Sequence, residues 1–197
     1  LKNLEKRDIH LNFSKEELDI IKNNTVDYIS FSYYLSLVAS HDPARKVGDG
    51  NLKGGVENPY LEKSDWGWAI DPIGLRITMN EIYYRYNLPI LISENGFGAN
   101  DILTVDNQIH DEYRIDYLRE HLKELGKAIE EGCEVLAYCT WSFTDLLSWL
   151  NGYQKRYGFV YVDREEEEGA TLDRYKKDSF YWYQDVIKQD GENLFKE

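Results

Sequence analysis

The chain has 197 residues, enough for one domain with a real core, and its 42% hydrophobic and 30% charged content is that of an ordinary globular protein. A net charge of −13 repels phosphate backbones, which argues against a nucleic-acid partner and, at first sight, against any anionic substrate. No apolar run approaches the roughly 18 residues of a membrane span, and the charged stretch Leu1 to Arg7 lacks the apolar core of a signal peptide. The missing initial Met points to a cut chain. Cys133 and Cys139 flank a predicted strand; they suggest neither a disulfide framework nor a zinc site, and two buried, reduced thiols are expected.

Residues 1–13 carry no clear periodicity. Ser14 followed by Glu17 is a capping-box pattern, so a short helix should run to about Asn23. Val26 to Ser32 is β-branched and aromatic and predicts a strand, with Ser32 and Tyr34 on one face and Tyr33 on the other. Residues 40–70 lack either period and hold Gly48-Asp49-Gly50, Gly54-Gly55 and Trp66-Gly67-Trp68; a loop of that length is usually functional or mobile. Asp71-Pro72 is a good helix opening, and apolar residues at 73, 77, 82 and 86 predict a helix from Ile73 to Tyr86.

Asn87-Leu88-Pro89 then feeds Ile90-Leu91-Ile92, three apolar residues that predict a strand buried on both faces. That strand runs into a single carboxylate, Glu94, and then into Asn95-Gly96. A carboxylate at the C-terminal end of a buried parallel strand has no structural reason to be there; in a (β/α)8 barrel that end is the catalytic rim. Asp111 to Glu131 is the clearest helix, with Ile115, Leu118, Leu122, Leu125 and Ile129 at three- and four-residue steps and Gly132 as its stop. Val135 to Thr140 predicts a third buried strand, Arg164 to Glu168 a charged turn, and Asp173 to Lys188 a final helix. This alternation of strands and helices predicts a parallel sheet with covering helices in a single partial domain, 1–197. Its long loops cover about 38–70, 95–110 and 144–158. There is neither a Gly-rich dinucleotide turn nor a phosphate-cradling loop.

Four stretches in order resemble the C-terminal part of glycoside hydrolase family 1. They are Ser32-Tyr33-Tyr34, Ile92-Ser93-Glu94-Asn95-Gly96, Trp141-Ser142-Phe143-Thr144-Asp145, and Ser148-Trp149 through Lys155-Arg156-Tyr157-Gly158. The resemblance implies α/β architecture, about three β/α units of a (β/α)8 barrel, and retaining hydrolysis of a glycosidic bond. It makes Glu94 the nucleophile, Tyr34 the residue that orients it, and Trp141 a platform under the sugar. Ordinary β-glucosidases of the family carry a glutamate at the place of Ser148. Serine there removes a charge that would repel a phosphate, and Lys155 and Tyr157, two apart on an extended segment, face the same way. The set Ser148, Lys155 and Tyr157 is similar to the phosphate pocket of the 6-phospho-glycosidase branch. A local cationic site overrides an acidic global field, which salt screens within about 8–10 Å.

Residues 58–71 are similar to 6-phospho-β-glucosidases, whereas Trp149 is similar to 6-phospho-β-galactosidases as a second sugar contact. The glucosidase is the expectation, with galactosidase or dual activity as the alternative. The 16 Tyr and 5 Trp suit a sugar cleft but serve a core equally well. The family's Asn-Glu-Pro stretch, with its acid/base glutamate, is not found, so the chain is expected to be an incomplete enzyme. It should dock with the missing half or self-associate through open sheet edges. A non-catalytic phosphosugar-binding module and a ligand-free structural fragment are the other classes to be separated. No metal or organic cofactor is implied, a phosphorylated β-glycoside is the expected partner, and the cytoplasm is the expected compartment.

Overall fold

A computed structural model describes residues 2–45, 47, 55–164 and 169–195. The predicted Gly48-Asp49-Gly50 and Gly54 features, and residues 165–168 of the charged turn, lie outside them. The chain opens with a four-residue helix, α1 (Lys2–Glu5), which the sequence pattern does not announce, and with α2 (Lys15–Asn23). The capping box forms as read: the Glu17 N–H donates to Ser14 Oγ at 3.2 Å, and the Ser14 N–H donates to Glu17 Oε2 at 2.8 Å.

Three parallel strands follow, β1 (Ile29–Ser32), β2 (Ile90–Asn95) and β3 (Val135–Thr140), hydrogen-bonded in the order β1-β2-β3. Between them run α3 (Pro72–Tyr86) and α4 (Glu112–Glu130), which pack on one face of the sheet. Asp71 caps α3 by accepting the Gly74 N–H at 2.9 Å, and Pro72 occupies the first turn, where its missing N–H costs nothing. The main core lies between sheet and helices, with Leu75, Met79, Ile90, Ile92 and Ala128 all fully enclosed.

Several expectations are corrected. The helix at 72–86 is present, but Ile73, Ile77 and Tyr86 are about half exposed; Leu75 and Met79 are buried, with Ile82 and Tyr83 packed beside them. In α4 the predicted stripe is buried at Ile115, Leu118 and Leu122, whereas Ile129 is half exposed. β2 and β3 are not buried on both faces. Ile90 and Ile92 face the helices, but Leu136 and Cys139 are exposed because nothing in the described residues covers the opposite face. Cys133 is therefore a buried free thiol and Cys139 an exposed one. Val26 and Tyr28 precede β1 and stand in solvent.

The final helix does not begin at Asp173. Residues Arg174–Lys176 form β5, antiparallel to β4 (Val160–Val162), and α5 runs Asp178–Lys188. Lys177 is withheld from the helix because its ammonium is fully buried between Asp101 and Asp145. α5 packs against a second core around Phe97, Leu118 and Phe159, and with the short 3₁₀ turn Glu192–Phe195 it closes a third around Leu122, Val186 and Leu194.

His121, at 0% exposure in α4, gives this packing a pH dependence. Its Nδ1 lies 2.7 Å from the Tyr117 carbonyl, which can only accept, so Nδ1 carries the proton. Burial lowers its pKa to about 4. The unfolded chain binds this proton near pH 6.5 and the folded chain only near 4. Stability is therefore full above 6.5 and is lost as pH falls towards 4, by about 3 kcal/mol in total. Urea midpoints at pH 7 and pH 4.5, compared between wild type and His121→Phe, should show a smaller acid loss in the variant. Equal losses would remove His121 from the account.

Candidate functional site

Strict alternation along β2 would send Glu94 into the helix-side core after Ile90 and Ile92. Register breaks prevent this. The pairing with β1 shifts between Phe31 and Ser32, and the pairing with β3 shifts between Ile92 and Asn95. The slip buries Asn95 completely and turns Glu94 to the open side, a common use of strand irregularity at functional sites.

Asn95 is satisfied at both ends of its amide. Its Nδ2 donates to the Tyr33 carbonyl at 2.7 Å and to Tyr117 Oη at 3.1 Å, and Oδ1 accepts from Tyr138 Oη at 2.5 Å. Tyr117 in turn donates to the Tyr34 carbonyl at 3.0 Å. The end of β1 and the end of β2 are thus tied together, and Tyr34 Oη donates to Glu94 Oε2 at 2.8 Å. Burial, followed by the bond to Glu94 and its charge, pushes the Tyr34 phenol well above its ordinary range, so it stays a donor. Trp141 follows β3, is half-buried, donates its N–H to the Asn95 carbonyl at 2.8 Å, and joins Ser142 through a cis peptide.

The second group lies on the segment 148–158. Lys155 is fully buried, with Nζ 3.5 Å from the Trp68 ring centroid and 5.4 Å from the centroids of Trp66 and Tyr157. Its ammonium has no hydrogen-bond partner among the described residues, and burial lowers its pKa to about 8. Burial also pushes the Tyr157 phenol up to about 12, partly offset by a hydrogen bond with Ser148. Lys155 and Tyr157 do point the same way: a Cβ on Gly98 would lie 2.4 Å from Lys155 Cε and 2.9 Å from Tyr157 Cε1. The Trp68 ring also meets the Tyr34 ring edge-on at 5.5 Å, so it stands between the Glu94 pair and the lysine.

Glu94, Tyr34, Lys155, Tyr157 and Ser148 are thus brought into one continuous site, with Trp141 anchored beside Glu94's strand. Trp149 is 99% exposed on its turn and projects into solvent. The roles of Trp66 and Trp68 around the lysine, and of Asp145 and Arg156 behind its segment, were not assigned from sequence. The pair Trp66-Gly67-Trp68 and the Asp145 and Arg156 within the matched motifs were visible signals, but only the chain's return from distant elements sets them together.

The sheet order, the carboxylate at a strand's C-terminal end and its tyrosine partner define a class, and the comparison agrees. The family described as glycosyl hydrolase family 1 matches residues 1–192, and the chain belongs to it. Among its relatives, aryl-phospho-β-D-glucosidase BglH of Bacillus subtilis is 50% identical over 193 residues, which cover 97% of this chain and 41% of BglH. The 6-phospho-β-glucosidase AscB of Escherichia coli is 49% identical over 178 residues, covering 89% of this chain and 38% of AscB. The solved family 1 β-glucosidase of Thermotoga maritima in complex with isofagomine lactam superposes with a TM-score of 0.75 at 35% identity, covering 90% of this chain and 37% of that one. The fold is therefore a C-terminal portion of a (β/α)8 barrel, and the chain spans about two fifths of the length of these relatives.

Proposed function

We propose that this chain is the nucleophile- and phosphate-bearing part of a retaining 6-phospho-β-glucosidase. The observation that carries the reading is Lys155: a fully buried ammonium with no anionic partner among the described residues, beside the hydrogen-bonded pair Ser148 and Tyr157. A buried cation left unpaired is costly, and a sugar phosphate would supply the missing anion through charge-assisted bonds. In the reaction, a Glu94 carboxylate oxygen attacks the anomeric carbon as the bond to the aglycone oxygen breaks. The glycosyl-enzyme is then released by water, which restores the carboxylate. Tyr34 holds the attacking oxygen's partner in place, and Trp141 offers its face to the ring.

Retaining chemistry needs a second carboxyl about 5–5.5 Å from the first, to protonate the aglycone. We assign it to polypeptide that matches the rest of the relatives' length. The uncovered apolar residues Leu136, Leu147, Ile20 and Ile21 support a partner of that kind. Phosphorylated β-glucosides are the proposed substrates, with the galacto epimers as the alternative, and carbohydrate metabolism in the cytoplasm is the proposed setting. No described helix is long and apolar enough to cross a membrane.

A non-catalytic phosphosugar-binding module is the second reading, favoured because the phosphate residues all lie in this chain while the chain spans only two fifths of BglH. Two measurements separate the readings. Calorimetry should show 6-phosphoglucose binding that Lys155→Ala removes. Turnover of a chromogenic 6-phospho-β-glucoside should be slow for the chain alone, since leaving-group protonation contributes about 10²–10⁴-fold. It should rise when the complementary part of BglH is added, and Glu94→Gln should abolish that rise. Binding without any such rise selects the module; rapid turnover by the chain alone overturns the partial-enzyme assignment.

A further inference from the structure

We infer that Arg156, clamped by Asp145, is the positioning residue that pins the register of the phosphate-binding segment and so presents Lys155 and Tyr157 to the ligand. The inference rests on the phosphosugar reading above. Arg156 forms an isolated antiparallel bridge with Ala99, and at such a pairing neighbouring side chains point to opposite sides. Lys155 and Tyr157 lie over Gly98, while Arg156 points the other way. Its Nη1 donates to Asp145 Oδ2 at 3.2 Å and to the Val162 carbonyl at 2.8 Å, and its Nη2 donates to the Arg164 carbonyl at 3.2 Å. Its Cζ lies 4.0 Å from the centroid of the Tyr161 ring. The Arg156 backbone exchanges two bonds of 2.9 Å with Ala99, on the loop that leaves Glu94. One residue thereby joins the Glu94 loop to the phosphate segment.

Asp145 holds the other end. Its side chain is 4% exposed. Oδ1 accepts from Lys177 Nζ and from the Gly158 N–H, each at 2.8 Å, and Oδ2 accepts from Arg156 and, at 3.4 Å, from the Val162 N–H. It therefore grips the chain on both sides of Tyr157, through residues 156 and 158, from a position three residues before Ser148. Ser148 reaches Tyr157 only while these two ends stay together.

The choice of cation matters. A slip of one residue would turn Lys155 towards Asp145 and swing Arg156 into the ligand site. Arginine resists this because its planar fork serves a carboxylate and two carbonyls at once; a lysine ammonium at 156 cannot match that geometry. Arg156 and Lys177 together engage Asp145, whereas the Lys155 ammonium has no hydrogen-bond partner among the described residues and is available to the ligand.

The test uses the whole chain and 6-phosphoglucose, followed by calorimetry and by the ³¹P line. Arg156→Lys keeps the charge and loses the fork. It should weaken 6-phosphoglucose binding about tenfold or more and move the pH midpoint of binding up from about 8 towards the ordinary lysine value of 10.5, as Lys155 leaves its place beside Trp68. Asp145→Asn, which keeps the shape, should do the same. A purely structural role would lower the melting temperature and leave both affinity and midpoint unchanged, and that result overturns the inference. So does the failure of both variants to fold, which would make the clamp a fold determinant. Wild-type protein that does not bind 6-phosphoglucose, or Lys155→Ala that binds it unchanged, defeats the phosphosugar reading instead.

Discussion

Gly96→Ala should destabilise the chain by at least about 3 kcal/mol, a large share of the roughly 5–15 kcal/mol typical of a domain. A Cβ at position 96 would lie 1.9 Å from the Trp141 carbonyl oxygen and 2.9 Å from its carbonyl carbon. The obstruction is backbone, so no rotamer change relieves it; the ends of β2 and β3 must part. The bond from the Trp141 N–H to the Asn95 carbonyl would lengthen with them, separating Trp141 from the Glu94 strand. Chemical denaturation is the measurement. A change within about 1 kcal/mol would mean that the two strand ends do not approach as described.

Raising the pH from 7 to 9 should weaken 6-phosphoglucose binding about tenfold. Burial holds the free Lys155 near 8, so about nine tenths of the chains carry the ammonium at pH 7 and about one tenth at pH 9. The sugar phosphate, with its second pKa near 6, remains a dianion across that range and contributes little of the slope. The unliganded chain behaves oppositely. The unfolded lysine holds its proton up to about 10.5 while the folded one releases it near 8, so stability rises between those values. Calorimetric titrations at pH 7, 8 and 9 test the binding arm. A flat profile would show an ordinary lysine and take away the buried cation on which the proposed function stands.

Much of the architecture was legible locally. The Ser14–Glu17 box and the Asp71-Pro72 opening act within one helical turn, so sequence alone located the starts of α2 and α3. Four members of the α4 stripe, Ile115, Leu118, Leu122 and Leu125, also read well, because one helix face is a short-range pattern, whereas Ile129 at its end stands half exposed. The parity that sets Lys155 and Tyr157 together followed from strand geometry, and the family likeness followed from four motifs in order.

Other features needed the folded chain. Which face of α3 is buried depends on where α4 lies: Leu75 and Met79 are covered, although Ile73 and Ile77 are as apolar. β5 exists because residues 174–176 pair antiparallel with β4, overriding a helical pattern. Cys139 and Leu136 are exposed because strand burial is settled by what lies opposite, not by the strand. The register slips that turn Glu94 outward belong to pairings with two other strands, and the aromatic surround of Lys155 comes from residues nearly ninety positions earlier. Sequence by itself determined the three parallel strands, the helices between them, their order and the chemical groups available, since these rest on contacts between near neighbours. Tertiary structure decided which groups meet, which are covered and which carry an unbalanced charge, because each of those depends on segments far apart in the chain.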